Sequence, residues 1–154
     1  MHQGFLGTAA PFYVDLVLLL ELAMGLGLLA GAFLARLRKY RAHAWCQSAV
    51  VVLNAGVIAL VMLPSFRQNV APRIPLKLGK FFYAMATVHA ILGTVVECAA
   101  LYILLAAGTP FMPEKLRLTH YKLWMTAVLA AWWAAIVLGV LTYARWYIPN
   151  LFRR

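Results

Sequence analysis

Charge is what this sequence has least of. Only 12% of its residues are charged and only four of its 154 are acidic, where a soluble domain of this length carries about 25% charged residues. That scarcity excludes an ordinary soluble domain, since 65% of the residues are hydrophobic. Two cysteines, Cys46 and Cys98, both inside apolar runs, are too few and too deeply placed for a disulfide framework. Phosphate cradles, nucleophile elbows and soluble zinc signatures are missing, so no enzyme signature is present. The start of the chain has neither a basic region nor a small-residue cleavage site, so the first apolar run is expected to be retained as a span.

The hydrophobic residues come in four long runs: about Pro11 to Ala35, His43 to Leu63, Lys80 to Ala107, and His120 to Tyr147. Each exceeds the ~20 residues a helix needs to cross a bilayer. Backbone groups in lipid must be bonded within their own segment, and the runs show no strand-like alternation, so helices are the reading. Pro64 and Ser65 are expected to end the second run, and Pro149 the fourth. Short connections force neighbours antiparallel. The expected fold is one all-α domain over residues 1–154, an integral membrane four-helix bundle running up-down-up-down.

The net charge of +10 does not point to nucleic acid, because of where it lies. Arg36, Arg38, Lys39 and Arg41 follow the first run; Arg67, Arg73, Lys77 and Lys80 follow the second; Lys115, Arg117 and Lys122 flank the start of the fourth; Arg145, Arg153 and Arg154 close the chain. Basic residues so placed meet anionic headgroups and set topology. No basic residue precedes the first span and four follow it, which puts both termini outside, in what is expected to be a bacterial inner membrane. Aromatics such as Trp45, Phe81, Tyr121, Trp124, Trp146 and Tyr147 crowd the span ends as an interfacial belt. A weak repeat relates the halves: ELAMGLGLLAGAF and ECAALYILLAAGT both lead, through a basic loop, to a histidine opening the next helix. Chance matching of Leu/Ala-rich sequence is the competing explanation.

His43 and His120 each open an even-numbered helix, at one membrane level. In a four-helix bundle the second and fourth helices are diagonal, and two imidazoles facing across a core are what a six-coordinate haem iron needs. His43 continues as Gln47, Val50 and Asn54 at helical spacing, a stripe expected to face inward. The His120 face continues as Ala127, Ala131, Ala134 and Ala135, small enough to leave room for a macrocycle. Each histidine taken alone also reads as a headgroup contact, and small residues in spans also serve helix packing. His89 lies inside the third span, with Glu97 further along it and Glu21 at comparable depth in the first. Ionisable groups at that depth mark a metal or haem ligand with carboxylate support, a proton path, or a neutral hydrogen-bonded pair. A neutral His89–Glu cluster is expected rather than an ion pair. Asp15 reads as interfacial. Copper is the alternative to haem, through His43 and Cys46 with methionines nearby.

Three histidine contexts, RAHAW, TVHAIL and LTHYKLW, together with LGVLTY near the end of the fourth span, resemble a small four-span family of unknown function linked to maturation of haem–copper terminal oxidases. The resemblance covers about residues 38 to 147. It implies that His43, His89 and His120 hold a b-type haem or copper, in electron transfer or oxidase assembly within a respiratory system. The partners it implies are other membrane subunits, a haem–copper oxidase among them. Where the family pattern would place a further histidine after the second span, this chain has Pro64, Ser65 and Phe66. The competing classes are a non-redox accessory subunit of a larger membrane complex and a small transporter using Glu21 and Glu97.

Overall fold

Leucine, alanine and valine fill the runs, and long apolar stretches in lipid have no other way to satisfy their backbone than helix. The computed structural model describes residues 4–77, 79–108, 113 and 119–148, and among these every regular element is helical. Helix α1 spans Phe12–Arg36, α2 Tyr40–Val57, α3 Leu63–Asn69, α4 Ile74–Lys77, α5 Phe81–Gly108 and α6 Tyr121–Tyr147. A π segment, Ile58–Met62, joins α2 to α3, and a 3-10 turn, Ala71–Arg73, joins α3 to α4. Four stretches are long and apolar enough to cross a membrane: Phe12–Arg36, Tyr40–Lys77, Tyr83–Ala107 and Tyr121–Tyr147.

The second of these departs from expectation. Pro64 was expected to stop it, and the helix instead runs on through the proline. A proline inside a helix removes one amide donor, and its ring collides with the carbonyl four residues earlier. The π segment ends two residues before Pro64. A π turn is wider than an α turn, and Pro64 falls in the first turn of α3, where its lack of an N–H is tolerated.

The turn from α1 into α2 is tight because α1 closes with a Schellman motif. Lys39 N–H donates to the Leu34 carbonyl at 2.9 Å and Arg38 N–H to that of Ala35 at 3.0 Å. Arg38 takes the left-handed conformation this demands, with φ 58°, at a cost of ~1 kcal/mol for a residue with a Cβ.

Helix α1 packs on α2 and α6, and α5 on α6 and α2. That leaves α2 and α6 across one diagonal, as expected. The core joins one side chain or more from each span: Leu28, Val51, Val96, Ala100, Trp132 and Ile136. Glycines let α1 approach closely. A Cβ on Gly25 would strike Ile136 and Trp133, and one on Gly31 would strike Gln47, the small-residue contact that lipid-solvated helices rely on. Leu26, Phe33, Val52, Ile91, Val95 and Val137 point outward, an apolar surface suited to lipid.

Candidate functional site

The polar residues of the spans form separate groups along the bundle. The first ties α2 to α1. His43 Nδ1–H donates to the Gly31 carbonyl at 2.7 Å, Cys46 Sγ–H to that of Gly27 at 3.3 Å, and Gln47 Nε2 to that of Leu28 at 3.2 Å. The stripe beginning at His43 therefore does face the bundle, and its upper part serves helix pairing.

The second group is a knot further down the same stripe. Asn54 Nδ2 donates to Glu97 Oε2 of α5 at 2.8 Å, and both side chains are only 6% exposed. The other oxygens, Asn54 Oδ1 and Glu97 Oε1, are buried with no hydrogen-bond partner, as is Oε1 of Glu21. Glu21 lies within electrostatic reach of Glu97. His89 does not join this knot directly. Its Nδ1 lies 2.9 Å from the Ala135 carbonyl of α6; a carbonyl only accepts, so Nδ1 carries a proton. The expected His89–Glu hydrogen bond is thus replaced by two separate ones, Asn54–Glu97 and His89–Ala135. The reason is helix rotation: Glu97 turns toward α2, while His89 turns toward α6 beside Gly139, which has no Cβ to crowd the ring.

Glu21, Asn54 and His89 line one cavity of about 570 Å³, within the ~300–1,000 Å³ of small-molecule sites. Its remaining wall is mostly apolar and aromatic, Trp132 and Tyr143 among it, and no Lys or Arg lines it. Ile91, Val95 and Val140 line it too while being exposed, so the cavity reaches the lipid-facing surface.

Asp15, read as interfacial, lies in the first turn of α1 and is fully buried within the protein, at 0% exposure. Leu6 N–H donates to its Oδ2 at 2.9 Å and the Tyr143 hydroxyl to its Oδ1 at 2.6 Å. Thr8 Oγ1 lies 2.6 Å from the Tyr143 hydroxyl, and Ala9 N–H donates to the Tyr147 carbonyl at 3.2 Å. The segment before α1 is thereby pinned to two residues of α6, Tyr143 and Tyr147, that also line the cavity. The only signal in the sequence was a lone acid placed early in an apolar run, level with a tyrosine near the end of the fourth.

The haem arrangement expected at His43 and His120 meets unsuitable surroundings. His43 is half-buried with its ring turned onto α1, whereas His120 is exposed beside Lys122, Leu123 and Thr126. Neither lines the large cavity. On the alanine face, Ala127 and Ala134 are exposed and only Ala135 is buried, because four positions spread over that arc cannot all face one neighbour. The large cavity is no better matched to haem: it offers one imidazole, a carboxyl beside that of Glu97, and no basic side chain for the propionates. Copper fares similarly, since His43 and Cys46 are each spent on an α1 carbonyl. Among the described residues no group of three or more His, Cys, Asp or Glu side chains is placed to hold a metal. The residues present therefore do not fit either group.

Fold and site together define an all-helical protein with four membrane-length helices around a partly polar cavity. The chain matches no family model, no curated protein and no solved structure.

Proposed function

We propose that the chain is a membrane-embedded binding protein whose working site is the cavity shared by α1, α2, the π segment, α3, α5 and α6. In this reading the four spans cross the bilayer up-down-up-down, and the cavity receives a small, largely apolar molecule from the lipid. One observation carries it: Glu21, Asn54 and His89 line a mostly apolar cavity, and Glu21 Oε1 and Asn54 Oδ1 are buried there without a hydrogen-bond partner. Buried polar atoms without partners are rare in folded proteins and ask for an explanation. A ligand that brings donors supplies one. Few convergent polar groups in an apolar cavity is also the usual composition of a small-molecule site.

The test uses a neutral probe, 4-phenylbutanol, titrated calorimetrically into the purified protein in lipid nanodiscs. Gly93 lines the cavity, and a Cβ there would meet nothing within 4 Å, so Gly93→Leu has open space in which to start a side chain that takes up cavity volume. Saturable binding of one probe per chain, lost in Gly93→Leu, is the expected result. Non-saturable partitioning that is identical in both proteins would refute the reading and leave an accessory subunit as the better description.

A further inference from the structure

We infer that the cavity takes a lipophilic organic cation, an apolar body carrying one ammonium group seated against Glu21 and Asn54, with Glu97 as the second carboxyl of the knot. The inference rests on the cavity being a binding site and names the class of its ligand. Three buried oxygens lack partners: Glu21 Oε1, Glu97 Oε1 and Asn54 Oδ1. Asn54 and Glu97 are each 6% exposed, so bulk solvent does not serve them. An ammonium offers three N–H donors and no acceptor, which suits Glu21 Oε1 and Asn54 Oδ1, whose residues line the cavity, while Glu97 is held to Asn54 outside the lining.

Charge points the same way. Two carboxyl groups stand within electrostatic reach of each other, and no Lys or Arg lines the cavity. A ligand that brings one positive charge relieves that pair, while an anionic ligand would aggravate it. A hydroxyl supplies one donor and leaves the charge as it was. A hard divalent metal ion asks for about six to eight oxygens, more than the knot offers. The rest of the wall, with Val17, Ile58, Trp132 and Ile136, suits an apolar body. The exposed lining residues Ile91 and Val95 give such an amphiphile a route from the lipid.

The experiment compares 4-phenylbutylammonium with 4-phenylbutanol, near-equal in shape, by calorimetry on the 154-residue chain in phosphatidylcholine nanodiscs. A hydrogen bond to a charged group is stronger than one between neutral groups, so the ammonium is expected to bind at least about tenfold tighter than the alcohol. Glu21→Gln and Glu97→Gln are each expected to remove most of that advantage while alcohol binding persists, which also reports that the cavity is intact. Equal affinity for the two probes, or wild-type ammonium affinity in both glutamine variants, would overturn the inference and leave the cavity reading standing. Failure of both probes to bind wild-type protein would overturn both.

Discussion

Replacing Asp15 by alanine removes the group that holds the segment before α1 onto the bundle. Two donors lose their acceptor: the Leu6 amide and the Tyr143 hydroxyl. An orphaned buried donor costs ~1–3 kcal/mol. The hydroxyl keeps Thr8 Oγ1 as a partner at 2.6 Å, so its share falls toward the low end. Asp15 also sits in the first turn of α1, where an acidic residue adds ~0.3–1 kcal/mol through the helix dipole. Together these put the loss at about 2–4 kcal/mol, borne mainly by the docked segment, because the helix contacts are untouched. Asp15→Asn should fall between, since its amide can accept from one donor but turns its own donor toward the other. Chymotrypsin can cut after Phe5 in the opened segment. With opening fast relative to cleavage, even 2 kcal/mol raises the cleavage rate roughly thirtyfold. Mass spectrometry of timed digests reads that rate. A rate in Asp15→Ala within about threefold of wild type would refute the reasoning, as it corresponds to less than one ordinary hydrogen bond.

Further outcomes follow from particular contacts. Glu97→Gln should leave thermal stability unchanged or raised, because the new amide donates to Asn54 Oδ1 while still accepting from Asn54 Nδ2; a marked fall in Tm would contradict the knot's geometry. Asn54→Leu strips Glu97 of its hydrogen-bond donor and should cost about 1–3 kcal/mol in denaturant titration. Gly25→Val drives a side chain into Ile136 and Trp133 and should destabilise by about 1–3 kcal/mol through overpacking, visible as a lowered Tm. His120→Ala should be silent in stability, since the residue is exposed, whereas His43→Ala should lose about 1 kcal/mol with the Gly31 bond.

Much of the architecture was legible because it depends on quantities a linear sequence carries. Run length and lack of charge define four spans, and Gln47 and Asn54 betray an inward stripe because amides are costly against lipid. What was not legible depends on rotation and register. Helices α5 and α6 are apolar nearly all round, so nothing in their pattern says which side faces a neighbour. Hence Glu97 was paired with His89, and Ala127 and Ala134 were given an inward place they do not hold. Pro64 misled for a different reason: the rule that proline ends a helix assumes an α register up to it, and the π segment breaks that assumption. The burial of Asp15 depends on Leu6 and Tyr143, which lie 9 and 128 residues away in sequence, and no local pattern announces so distant a partner.

The central claim, that Glu21 stands in a cavity reached from the lipid, can be tested by labelling membranes with a lipid-soluble carbodiimide and mapping the adduct by mass spectrometry. Glu21 lines the cavity, Glu97 does not, and Asp15 is sealed at 0% exposure. The account predicts modification at Glu21 ahead of the other two, slowed by 4-phenylbutylammonium and by Gly93→Leu. Modification of Asp15 or Glu97 in preference to Glu21, or a Glu21 rate that neither treatment changes, would contradict it.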